Sequence, residues 1–226
     1  SHGARPLAAP PPTRRADVVD AGGPWAGQLA PVEVKNRNTG AHGKIRLYRE
    51  DGTLDQDAAD AFMRIAASAN APAPEAEPLD LRLVQLAVCA SYHFKGATIS
   101  IVSATRKGTR GKHGTGEALD FALEGVRARA LAAHLFDYPL AGVGLYTHPK
   151  TQYVHLDVRD RSTHWLDGSP PGVTWRERIL PDKRQATRDA AWSPAFDLPE
   201  TAGAPSTAVA AAKPGLGSAS SKRASR

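Results

Sequence analysis

The chain has 226 residues, with 29 Lys and Arg against 23 Asp and Glu, 18 Pro, 20 Gly and one Cys, which suits one domain of ordinary size plus tails. A hydrophobic fraction of 41% can supply a packed core, and the lone Cys89 excludes a disulfide framework or an all-thiolate metal site. The net charge of +6 is uneven: residues 201–226 carry four basic groups and no acid, whereas 31–200 hold 22 basic against 21 acidic, so the pI of 9.6 belongs mostly to the tails and argues against a nucleic-acid partner.

In chain order, residues 1–30 are Pro-rich and lack a periodic apolar face, as a linker would. The chain begins with Ser rather than Met, as a processed or truncated product would. Val32–Val34 and Lys44–Tyr48 alternate like half-buried strands around a turn at Asn38-Thr39-Gly40. Leu54, Ala58, Ala61, Phe62, Ile65 and Ala66 fall at helical spacing, as do Leu79, Leu83, Leu86, Ala87 and Ala90 after a Pro-rich break. Thr98–Ser103 and Ala118–Leu123 read as strands, Val126–Leu135 as a helix, and Gly142–Tyr146 with Tyr153–Arg159 as a further strand pair. No run approaches the ~20 apolar residues of a transmembrane segment. The predicted fold is α+β, a small antiparallel sheet flanked by helices, with a domain at 31–185 and a low-complexity basic tail at 186–226.

Two segments place ionisable groups where a strand would carry apolar ones: Lys112-His113-Gly-Thr-Gly116-Glu-Ala118-Leu-Asp120 and Tyr153-Val-His155-Leu-Asp157-Val. Strand alternation sends Val154, Leu156 and Val158 to one face and leaves His155 beside Asp157 on the other. Asp120 likewise opposes Leu119 and Phe121, and His113 precedes it by seven residues across two glycines. A lone strand histidine is more often structural, and an Asp after a Gly-rich loop more often forms a turn. Two His and a carboxylate together, however, are the ligand set of catalytic zinc, with a water completing the site.

The pattern His113-x-x-Gly116-x-Ala118-x-Asp120 followed by His155-x-Asp157 resembles the zinc peptidases grouped as D-Ala-D-Ala carboxypeptidases, VanX dipeptidases and the hedgehog fold, the LAS group. Within it, Asn36-Arg-Asn-Thr39-Gly40 resembles the N-x-H-T-G-E opening of the YcbK-like branch. Ser103-Ala-Thr-Arg106 is similar to its Ser-Gly-Tyr-Arg element, and Gly142-Val-Gly144-Leu-Tyr146 to the strand before its Phe-Val-His-Val-Asp, with Trp165 matching a Trp. The likeness runs over about 31–166.

This resemblance implies a hedgehog/D-Ala-D-Ala metallopeptidase-like fold, Zn²⁺ held by His113, Asp120 and His155, and Arg106 on a substrate carboxylate or the oxyanion. The sequence departs from the pattern in places. Ala104-Thr105 stand for Gly-Tyr, and many relatives read His-x-His where this chain has His155-x-Asp157. Dipeptidase relatives keep an acid where this chain has Gln152. The general-base role is therefore assigned to Asp157, with Asp157 as ligand and His155 behind it as the open alternative. Lys112, in the cationic loop Arg106-Lys-Gly-Thr-Arg110-Gly-Lys112 suited to peptide carboxylates, and His148, in the loop before the His155 strand, are candidate substrate contacts. The implied activity is zinc-dependent hydrolysis of amide bonds in peptidoglycan peptides, by a carboxypeptidase or endopeptidase in the periplasm or secreted. A non-catalytic, zinc-containing wall-binding module on the same fold is the competing reading.

Overall fold

The computed structural model describes residues 24–68, 78–106, 108–171, 173 and 178–203. Strands β1 (Val32–Asn36) and β2 (His42–Ile45) form an antiparallel hairpin. Asn36 organises its turn: its Oδ1 accepts from Asn38 N (2.9 Å) and Thr39 N (3.3 Å), while its amide donates to Ile65 O and Ala67 O. Asn36 thus ties the hairpin to the end of helix α1 (Gln56–Ala66). Asp55 begins α1 by accepting from Asp57 N and Ala58 N, satisfying donors that the first turn would otherwise leave open. Asp80 does the same for α2 (Leu81–His93), accepting from Arg82 N.

Strands β3 (Ile99–Ser103) and β4 (Ala118–Leu123), helix α3 (Ala128–Leu135), and strands β5 (Ala141–Tyr146) and β6 (Val154–Val158) follow. They occupy the predicted segments. Strands β7 (Thr163–Asp167) and β8 (Arg178–Leu180) and the short helix α4 (Gln185–Ala190) were not anticipated. All eight strands join one sheet in the order β2-β1-β3-β4-β6-β5-β7-β8. The fold is α+β as expected, but the sheet is neither small nor purely antiparallel: β1 pairs with β3, and β5 with β7, in parallel. Both departures come from connections rather than strand sequence. Helices α1 and α2 return the chain to the same end before β3, and residues 159–162 carry it across the start of β5 so that β7 runs alongside it.

One face of the sheet packs on the helices. Leu119, Phe121, Val143, Val154 and Leu156 are fully buried there with Leu83, Leu86 and Leu131, the arrangement a two-layer α+β core requires. Ten residues of α2 are buried, on more than one side, because a segment near the C-terminus covers it. Arg82 lies in that contact, pairing with Asp197 (2.8 Å) and donating to Leu140 O (2.8 Å) and Pro139 O (2.6 Å).

The expected tail boundaries need correction. Ala26 and Leu29 are buried ahead of residue 31, and Trp25 packs edge-on against Tyr48. Phe196 and Leu198 are buried well past residue 185. These stretches have no repeating apolar face, so periodicity misses them; they dock through isolated anchors instead. The expectations for 1–23 and 204–226 lie outside the described residues. Among the described residues, no helix is long and apolar enough to cross a membrane.

Candidate metal centre

The opposite face of the sheet carries a row of side chains set by register. Ser103 on β3 pairs with Asp120 on β4, Asp120 with His155 on β6, His155 with Gly144 on β5, and Gly144 with Trp165 on β7. A shift between Ile101 and Ser103 is what brings Ser103 opposite Asp120, the re-aiming that bulges perform beside sites. The neighbouring row holds Ala118, Asp157, Gly142 and Thr163. One glycine in each row clears the space. A Cβ on Gly144 would enter the Trp165 indole, and one on Gly142 would strike Arg159 and Asp157. Trp165 therefore reaches over β5 to His155, 5.2 Å between ring centres.

His113 arrives from the loop between β3 and β4. That loop closes on itself through Arg106 N to His113 O and Glu117 N to Lys112 O, each 2.8 Å. Gly116 has φ +73° and lies against the Pro78 carbonyl, where a side chain would be strained by backbone and blocked by its neighbour. His113 Nδ1 sits 2.7 Å from Ala104 O. A carbonyl only accepts, so Nδ1 carries the proton and Nε2 faces Asp120 Oδ2 at 3.4 Å. His155 Nδ1 lies 2.8 Å from Asp120 Oδ1, and its Nε2 lies 3.1 Å from Asp157 Oδ2. Arg159 grips both oxygens of Asp157 from beyond. Arg106 Nε donates to Ser103 Oγ (2.8 Å) and its Nη2 to Asp120 Oδ2 (3.2 Å).

These contacts set the charges. Burial pushes the Asp120 carboxyl up, yet hydrogen bonds from His113 and His155 outweigh it and hold the pKa at about 2. Burial pushes His155 down, and its bonds to Asp120 and Asp157 override this, raising it to about 9. Asp157 is lowered, because contacts from His155 and Arg159 exceed the opposing effect of burial. His155 thus lies between two buried carboxylates that favour positive charge there. A place that favours positive charge, with ligand atoms of His113, Asp120 and His155 all within 4.8 Å of one another, fits a divalent metal. The donors are two imidazoles and a carboxylate, as zinc favours, and each imidazole is oriented from behind by an acceptor.

The site forms the floor of a cavity of about 380 Å³ lined by Arg106, Arg110, Lys112, Tyr146, Trp165 and Ile179, among others. Of the expected site residues, His113, Asp120, His155, Asp157, Arg106 and Lys112 meet here. His148 does not. It sits in the turn before β6, where its Nδ1 accepts from Lys150 N (3.2 Å). Gln152 also serves that turn, donating to Thr147 O and His148 O.

Residues 26–165 match the family model described as peptidoglycan L,D-endopeptidase MepK. The chain belongs to that family. The family is part of the LAS-type zinc peptidases. No curated protein and no solved structure matches the chain. The match to the MepK family ends at Trp165, so it contains the whole row from Ser103 to Trp165 but not β8 or the C-terminal segment. Arg159 also falls inside it and is a site residue that sequence reasoning missed. Extending the alternation from 155 and 157 by one more step would have found it. Ile179, exposed at the cavity rim, had no such signal because β8 itself was missed.

Proposed function

We propose that this chain is a zinc-dependent endopeptidase hydrolysing amide bonds in the peptides or cross-links of peptidoglycan, and that it works outside the cytoplasm where that polymer lies. The observation that carries this is the convergence of His113, Asp120 and His155 on the cavity floor in a chain of the MepK family. These three residues would hold the zinc, which when bound supplies Lewis acidity toward a carbonyl oxygen and makes water a better nucleophile near neutral pH.

The protein's own groups do the rest. Arg106, fixed by Ser103 and Asp120, offsets negative charge on the oxygen of the carbonyl under attack, the role of a preorganised donor. Arg110 and Lys112 on the rim receive peptide carboxylates. Tyr146 and Trp165 give the substrate backbone an apolar wall. Asp157 is only 1% exposed and its carboxylate is already shared by His155 and Arg159. That geometry favours a positioning role: Asp157 orients His155 and keeps Nδ1 turned toward Asp120, rather than meeting water as a general base.

One observation favours the second reading, a zinc-containing wall-binding module. Among the described residues lining the cavity, the only carboxylates are Asp120 and Asp157, and neither is free. Digestion of purified peptidoglycan by zinc-replete protein, with mass analysis of the products, separates the two. New peptide ends released by the parent and absent with a zinc-free His113→Ala variant are expected. A zinc-replete parent that binds wall fragments and leaves every amide intact would establish the binding module instead.

A further inference from the structure

Behind the sheet, three metal-binding side chains meet that the peptidase site does not use. His93 is the last residue of α2, His134 lies in the last turn of α3, and Glu200 lies in the C-terminal segment. The His93 and His134 rings stack with centres 3.8 Å apart and planes 15° from parallel. His93 Nδ1 is 2.9 Å from Glu200 Oε1. One ligand atom from each residue lies within 4.8 Å of the others.

We propose that His93, His134 and Glu200 form a second divalent transition-metal site, of the zinc class, that clamps the C-terminal segment onto α2 and α3. Two independent features favour a cation here. The donors are two imidazoles and a carboxylate, a set that zinc, copper and nickel accept. Two helix C-termini converge on the spot, and the partial negative charge at such ends attracts positive charge. The entry path is open, since the Glu200 side chain is half-exposed and that of His93 partly so.

The site is separate from the peptidase centre. His113, Asp120 and His155 lie across the sheet from the helices that carry His93 and His134, and Glu200 lies beyond the stretch matched by the family. The consequence is structural. Glu200 follows directly on Phe196–Leu198, the anchors over α2, so a metal at this point would tie down the end of that segment.

Titration of the metal-stripped, tag-free chain with Zn²⁺, read by calorimetry and repeated with Co²⁺ by absorbance, tests this. Two ions per chain are expected for the parent, one for His113→Ala, one for His93→Ala, and none for the double variant. His93 is partly exposed, so its replacement should leave the circular dichroism of the fold unchanged, and Glu200→Gln should weaken the second site by at least about tenfold, the usual size of a lost metal partner. Zn²⁺ should also raise the melting temperature of His113→Ala but not of the double variant. A parent that binds one ion, lost with His113→Ala and unaffected by His93→Ala, overturns the second site and leaves the peptidase reading intact. One ion lost with His93→Ala and retained by His113→Ala would do the reverse.

Discussion

On β6, Val154, Leu156 and Val158 turn to one face of the sheet and His155 and Asp157 to the other, and all five are buried. β4 repeats the contrast, with Leu119 and Phe121 opposite Asp120. Burial therefore does not distinguish core from site in this molecule; the partners do. On the helix side the sheet's own buried side chains on β4 and β6 are apolar and held by packing. On the cavity side every buried charge has a matching group: Asp120 meets His113, His155 and Arg106, and Asp157 meets His155 and Arg159. The first face stabilises without chemistry. The second holds charge in fixed pairs.

Breaking each face in turn should give opposite signatures. The largest effect is expected from His113→Ala. It sits on a loop rather than in the sheet, so near-UV circular dichroism should stay close to that of the parent while peptidoglycan hydrolysis and the metal of this site are both lost. On the other face, Phe121→Ala should cost about 3–5 kcal/mol by cavity formation, measured by denaturant unfolding, with turnover falling only as folded protein is lost.

Asp157→Asn sharpens the division within the polar face. A group that positions His155 should lower zinc affinity and turnover together, by about 10–100-fold. A drop of ~10² to 10⁴ in turnover at unchanged zinc affinity would make Asp157 the general base after all. The smallest effect tests the one histidine on the packed side of β7. His164 stacks on Phe136, and burial, followed by the nearby Arg188, lowers its pKa to about 4. Its unfolded value is near 6.5, so the unfolded chain binds the extra proton between those limits. The contribution of neutral His164 is complete above pH ~6.5 and is lost as pH falls toward 4. The stability drop between pH 7 and pH 5 should be larger for the parent than for His164→Gln, and equal drops would remove His164 from the acid response.

Much of the site was legible in the residues. Alternation put His155 and Asp157 on one face, and the spacing from His113 to Asp120 supplied the remaining donors; the helices at Gln56–Ala66 and Leu81–His93 followed from apolar periodicity. What escaped had no local pattern. β7 and β8 are short and mixed in character, Phe196 and Leu198 are isolated anchors in an irregular stretch, and His93, His134 and Glu200 are dispersed over more than a hundred residues.

The sequence by itself determined which side chains share a face, because in a strand the backbone turns successive residues to opposite sides whatever surrounds it. Only the tertiary structure decided which faces meet. Gly144 between His155 and Trp165, Ser103 opposite Asp120, and Glu200 against His93 are products of strand order, register and docking. Those depend on contacts among residues far apart in the chain, where hydrogen bonding between strands and burial against the helices outweigh anything a local run of residues prefers.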